Sequence, residues 1–251
     1  VINNTKVLPA RIPGKRQSGG KIEALLIEEN NNGDWSAIVR KAGRIKQGER
    51  LEFCDGKLLA KAKERLEEGE WLLEFEETER LKERLEDVGL PPLPPYIERR
   101  NASDLQNTKD RERYQTCFAT EPGAIAAPTA GLHFTPEILT EIGNRGIDIL
   151  EVTLHVGLGT FSSIDQEDIR KHKMHAEFFS VSSQTLRQLQ VYQNNNKQMI
   201  NVGTTSVRVL ETLARQNFQE SSGWTDIFIY PPCKFKMTDG LLTNFHLPKS
   251  T

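Results

Sequence analysis

Cysteine is scarce in this chain: Cys54, Cys117 and Cys233 stand far apart among 251 residues, with no C-x-x-C pair. So sparse and odd a set reads as reduced thiols in a cytosolic protein. It speaks against a disulfide framework and against a structural zinc site. Long apolar runs are also missing. Runs such as Ala24-Leu25-Leu26-Ile27 fall far short of the roughly 20 apolar residues that a membrane-crossing helix needs. No basic-then-apolar leader opens the sequence, so nothing points to export. Nor is there an excess of base. The net charge of −2 excludes an evenly cationic surface, although a local basic face remains open. A cytoplasmic protein with no membrane partner and no resident metal is expected. Both ends read as interrupted, with Val1 in place of Met and a last capping pair, Ser250-Thr251, just after Pro248.

What is present is a globular composition, 37% apolar and 27% charged, at a length that suits one large domain or two smaller ones. Residues 10–77 hold short strand-like runs. Ile22, Ala24 and Leu26 alternate, a turn at Asn30–Gly33 follows, and Asp55-Gly56 marks a hairpin. Trp71, Leu73 and Phe75 alternate again, whereas 57–68 suits either a strand or a helix. Close strands with glycine turns favour a small barrel or sandwich. Leu81, Leu85 and Val88 then share a helical stripe that Gly89 ends. Pro91, Pro92, Pro94 and Pro95 form a stiff connector, with a proline ligand motif as the alternative. Beyond it strands alternate with helices. Helices are predicted after Thr135-Pro136, after Ser182 or Ser183, and over 206–216; strands over 147–156, 177–181, 199–202, 225–230 and 241–245.

The candidate site residues lie in the later region. Thr204, Thr205 and Ser206 stand where a strand meets a helix, so free N–H groups and hydroxyls there suit a carboxylate or phosphate, with Arg208 as a charge partner; ordinary capping is the alternative. His155, Gly157 and Gly159 follow a strand, and the glycines allow close approach of a ligand, or simply make a tight turn. They lack the third glycine of a dinucleotide fingerprint. His172 and His175, with Glu177 beyond, have no third clear metal ligand, so general acid–base work is the more natural reading. Strand alternation would set His175 and Glu177 on one face. His133 and His246 are each as compatible with a structural role as with a shared cleft. Lys6 and Arg11 belong to one basic cluster, Arg111 and Arg113 to another, and solvated charged surfaces explain both equally well.

Taken in order, these segments resemble the S-adenosylmethionine:tRNA ribosyltransferase-isomerase family of queuosine biosynthesis. The resemblance rests on Asn4-Thr5-Lys6-Val7-Leu8-Pro9-Ala10-Arg11, on Glu112-Arg113-Tyr114-Gln115-Thr116, and on the stretches 127–135, 154–161, 174–178, 201–208 and 241–251. It implies a mixed α/β catalytic domain, residues 1–9 and 89–251, with an inserted small β-barrel at 10–88. It implies S-adenosylmethionine as co-substrate rather than a recycled cofactor, and a tRNA carrying 7-aminomethyl-7-deazaguanine as the other. Epoxyqueuosine-tRNA, adenine and methionine are the implied products. The catalytic candidates are then His175, Glu177, His133 and His155. Thr129, Gly157, Gly159, Thr204, Thr205, Ser206, Arg208, Asn244, His246 and Lys249 are candidates for substrate binding, and Lys6, Arg11 and Arg113 for RNA.

Overall fold

Two short strands, β1 (Ile2–Asn3) and β2 (Thr5–Val7), precede a run of antiparallel strands whose side chains alternate between inside and outside. The computed structural model describes residues 1–66, 69–94, 97, 103–157, 159 and 168–246. The chain divides into two compact units, Val7–Glu112 and Val1–Lys6 with Arg113–Thr251.

In the first, β3 (Arg11–Arg16), β4 (Lys21–Glu29), β5 (Trp35–Arg40), β6 (Arg50–Phe53), β7 (Leu58–Arg65) and β8 (Trp71–Phe75) close into a barrel in the order β3-β4-β5-β8-β7-β6. Closure leaves no open sheet edge. Ile22, Ala24, Leu26, Trp35, Ala37, Leu51, Phe53, Leu73 and Phe75 are all buried. The ambiguous segment near residue 60 is a strand because Leu58, Ala60 and Ala62 are buried in turn while Leu59 and Lys61 face out. Helix α1 (Leu81–Val88) buries Leu81 and Leu85. Gly89 follows, where an added Cβ would stand 1.9 Å from the Pro9 carbonyl oxygen, so only glycine fits. Leu90 then exchanges main-chain hydrogen bonds with Arg11. Helix α2 (Asp104–Arg113) belongs to this unit as far as Glu112, and Arg111 donates to the carbonyls of Glu86 and Gly89.

The second unit is a layered α/β structure. β9 (Glu121–Ala124) pairs with β2. Helix α3 (Pro136–Asn144) starts at Thr135, whose hydroxyl accepts from the Ile138 N–H. The sheet continues with β10 (Glu151–Leu154) and β11 (Glu177–Ser180). Helix α4 (Ser183–Asn194) is capped by Ser182 through the Thr185 N–H. Then come β12 (Ile200–Val202), helix α5 (Gly203–Arg215), β13 (Ser222–Thr225) and β14 (Gly240–Leu242). Four strands run in the order β1-β10-β11-β13, and β12 pairs with β14. The Val1 nitrogen donates to Ile200 O and Val1 O accepts from the Val202 N–H, which lays β12 beside β1. One residue bonding two residues that are two apart is the parallel pattern.

Val1 and Ile2 point to opposite faces, as strand alternation requires. One face carries the main core, where Val152, Leu154, Phe179 and Leu189 pack with Val209, Leu210 and Leu213 of α5. The other holds a smaller cluster of Ile2, Phe118, Ala130 and Val202, against which Leu139 of α3 packs. Burying side chains such as Phe179 and Leu154 completely stabilises by about 1.5–3 kcal/mol each. The fold is mixed α/β with a closed barrel. No helix among the described residues is long and apolar enough to cross a membrane.

Candidate active site

Strand direction decides where the candidate residues meet. β1 runs parallel to β10 and β12 parallel to β14. β11 is antiparallel to both β10 and β13. The carboxyl ends of β14, β12, β1, β10 and β13 therefore share one edge of the sheet with the amino end of β11. Ligands of open α/β sheets bind outside such an edge, where loops and helix starts leave main-chain groups unpaired.

At that edge β1 leads into Thr5, which is fully buried, and its hydroxyl is 2.8 Å from His155 Nδ1. Asn3 carries the β1–β10 pairing one step further with its side chain, donating to Leu154 O and accepting from the Leu154 and Thr5 N–H groups. The half-buried His155 ring stacks on Phe178, with centroids 6.0 Å apart and planes 21° apart. Gly123 also lies against the ring, where an added Cβ would stand 2.6 Å from the imidazole. The ring is thus held in one orientation by three neighbours.

One step along, the Gly157 N–H donates to Glu177 Oε1 at 2.8 Å, and Glu177 Oε2 pairs with Arg208 Nη1. Arg208 Nη2 reaches Thr225 O at 3.0 Å. Glu177 and Arg208 are both buried. Burial brings the Arg208 guanidinium down to about 10, which leaves it charged at neutral pH beside the carboxylate. This ion pair ties the loop after β10 to the start of β11 and to α5. Gly159 lies close to His175: a Cβ there would lie 3.1 Å from His175 Cβ. His175 itself is exposed.

A second chain of contacts joins the turn Thr129–His133 to the segment after β14. His133 Nε2 is 3.0 Å from Asn244 Oδ1, and Asn244 Nδ2 donates to Thr129 Oγ1 at 3.0 Å. The same turn rests on the start of α5, since a Cβ on Gly203 would be 3.7 Å from Ala130 Cβ. Gly203 has φ +82°, a conformation that glycine takes without strain.

The candidate residues are distributed as follows. His133, His155, His175, Thr129, Gly157, Gly159 and Asn244 lie along the one edge in the contacts just described, and Thr204 and Thr205 lie there in the first turn of α5. Exposed His246 follows Asn244, and Lys249 lies outside the described residues. The helix begins at Gly203 instead of Ser206, with Val202 as its cap and no side-chain cap bond. Ser206 turns inward to Val202 O at 2.8 Å, and Arg208 faces Glu177 rather than the helix start. His175 and Glu177 do not share a strand face, because β11 begins only at Glu177. Glu177 has both oxygens engaged away from His175. Lys6 and exposed Arg113 belong to the α/β unit and Arg11 to the barrel unit, where it faces Glu23 at 3.9 Å. Sequence reasoning passed over Thr5, Phe178 and Gly123, whose pattern signal is nil: each matters only through His155, which is far away in the chain. Among the described residues no group of three or more His, Cys, Asp or Glu side chains is placed to hold a metal ion.

Comparison with known proteins adds an independent line. A family model described as queuosine biosynthesis protein matches residues 1–251. The S-adenosylmethionine:tRNA ribosyltransferase-isomerase of Staphylococcus epidermidis is 47% identical over 254 residues, covering 100% of this chain and 72% of the relative. Its Staphylococcus aureus counterpart is 46% identical with the same coverage. A solved Thermotoga maritima S-adenosylmethionine tRNA ribosyltransferase is 34% identical, covers 99% of this chain and 67% of its own, and superposes with a TM-score of 0.40.

Proposed function

The chain belongs to the S-adenosylmethionine:tRNA ribosyltransferase-isomerase family of queuosine biosynthesis, and from that premise we propose its full reaction: the ribosyl part of S-adenosylmethionine moves to 7-aminomethyl-7-deazaguanine in tRNA and is isomerised, giving epoxyqueuosine-tRNA, adenine and methionine. The observation that supports this reading is the shared sheet edge, along which three imidazoles, two glycine-permitted backbone approaches and a helix start lie.

The sulfonium acidifies the C5′ protons of the co-substrate, so one positioned base can begin the reaction. His175 takes that role, being exposed beside Gly159. His155, locked by Thr5 and Phe178, and His133, held by Asn244, serve the later proton transfers. Glu177 acts by positioning: it fixes Gly157 and Arg208 and leaves proton transfer to the imidazoles. The start of α5, with Thr204 and Thr205, receives the methionine carboxylate by its dipole and free N–H groups. Lys249 adds its charge to substrate binding, and Asn244 and His246 border the cleft. Closing it against water protects the unsaturated intermediate. Lys6, Arg11 and Arg113 contact tRNA phosphates and leave the exposed anticodon base to the cleft. Catalysis belongs to residues 1–9 and 89–251, with 10–88 as an inserted module, and the setting is cytoplasmic. No resident metal takes part.

The deciding experiment incubates full-length protein with S-adenosylmethionine and substrate tRNA. Free adenine and methionine are expected; S-adenosylhomocysteine would mean methyl transfer, and tRNA binding without consumption would mean a non-catalytic binding module. His175→Ala should lower turnover about 100-fold or more while S-adenosylmethionine affinity changes little. Unchanged turnover removes His175 from the mechanism. Affinity for tRNA should fall steeply between low and moderate salt, and a flat salt response would exclude phosphate contacts as the anchor.

A further inference from the structure

His172 closes the short turn Ile169–Lys171, and its ring lies against Phe228 with centroids 4.9 Å apart and planes at 58°. Phe228 in turn meets Tyr230 at 5.4 Å. Both aromatic partners follow the carboxyl end of β13, and His172 precedes the amino end of β11, which pairs with it. The cluster therefore stands at the same edge as His155, His175 and the start of α5. Within it, His172 Nε2 is buried and has no hydrogen-bond partner among the described residues. Buried polar atoms in folded chains are almost always satisfied, so an exception placed at a ligand-binding edge calls for a partner that comes from outside.

The geometry points to this cluster as the seat of the adenine ring of S-adenosylmethionine, with His172 Nε2–H donating to one of the ring nitrogens. The inference rests on the ribosyl-transfer reading and assigns a binding group to its leaving base. A planar heteroaromatic ligand suits tilted aromatic faces, and a single in-plane donor suits an endocyclic nitrogen. In the transfer the C1′–N9 bond breaks and its electron pair stays with adenine. C1′ bonds to the attacking amine nitrogen, and the proton that this nitrogen gives up completes free adenine. Negative charge grows on the departing ring, so a hydrogen bond to it is stronger in the transition state than in the bound co-substrate.

The test uses full-length protein, substrate tRNA, and S-adenosylmethionine analogues in which CH replaces N1, N3 or N7 of the adenine. Wild type should lose about tenfold in kcat/KM with the one analogue that lacks the bonded nitrogen. His172→Phe, which keeps a ring, should lose the same tenfold on the natural co-substrate and nothing further on that analogue. Its Tm and tRNA affinity should match wild type, and His172→Gln, which retains a donor, should recover part of the rate. Phe228→Leu should raise KM for S-adenosylmethionine and leave tRNA affinity alone. Equal losses on every analogue would make the imidazole a structural group, and a loss of tRNA affinity alone would give the cluster to the deazaguanine; either result overturns the proposal. If wild type releases no adenine at all, the ribosyl-transfer reading fails instead. Equilibrium binding of the same analogues to wild type and His172→Phe then still decides the seat.

Discussion

Glu177 illustrates how far a residue's surroundings reset its chemistry. In the sequence it stands two places after a histidine and suggests a carboxylate that orients an imidazole. In the folded chain its two oxygens accept from Gly157 N–H and pair with Arg208, and its side chain is 2% exposed. Removing one member of a buried ion pair leaves an uncompensated charge, which costs about 3–5 kcal/mol. Glu177→Gln should therefore lower unfolding free energy in urea by that order, even though the amide still accepts from Gly157. A cost below about 1 kcal/mol would mean that Arg208 finds other compensation, from the Thr225 carbonyl or from water. The histidine signals were legible as chemistry-bearing residues. The partner of each one was not, because Thr5 and Asn244 reach His155 and His133 only after distant segments pair.

Among the elements, α5 carries most of the buried polar contacts behind the candidate site. Nearly all of it is buried, and each of its buried polar side chains has a destination. Ser206 bonds back to Val202 O, Arg208 meets Glu177, and Thr212 meets Thr225 at 2.6 Å. Glu211 accepts from the N–H groups of Lys236 and Met237 and from the Thr238 hydroxyl, so this carboxylate organises residues 236–238 ahead of β14. Glu211→Ala should destabilise by about 2–4 kcal/mol, since several buried donors lose their acceptor together. Amide exchange at Met237 should quicken; continued protection there would show that the loop is held by other contacts. The helix itself was readable from sequence, but its first turn was displaced by three residues. Thr204, Thr205 and Ser206 look like caps, yet the chain turns at Gly203, whose positive φ ends β12 and starts the helix at once. The strand Leu58–Arg65 was ambiguous for a related reason: alanine and leucine suit both periods, and only pairing with β6 and β8 selects one.

For the whole molecule, electrostatics follow from pairing more than from composition. Several members of the first basic cluster face carboxylates on the barrel: Lys15 faces Glu52 at 2.8 Å, Arg16 grips Glu49 with two bonds of 2.9 Å, and Arg11 faces Glu23. Hydrogen bonds from Arg16 hold the Glu49 carboxyl below its usual value of 4.5. A folded value below the unfolded one means that unfolding takes up a proton on acidification. The pair's stabilisation is then complete above that usual value of 4.5, which the unfolded chain keeps, and is lost as pH falls through the lowered folded value. Thermal midpoints of Glu49→Gln should thus lie below wild type at pH 6 and converge on it as pH falls through the lowered folded value. Parallel curves would show that the pair contributes nothing across that range.

Local pattern alone settled a good deal: the barrel's alternating strands, most helix starts, the glycine positions and the set of imidazoles, because side-chain periodicity and backbone permissiveness act over a few residues. The identity of the neighbours was decided only by tertiary structure. Strand order brings five carboxyl ends to one edge, and that order depends on pairings between residues as distant as Asn3 and Val152 or Glu177 and Thr225. A single chain of letters carries no record of such pairings, since what selects them is the joint burial of faces that do not yet exist in the unfolded state.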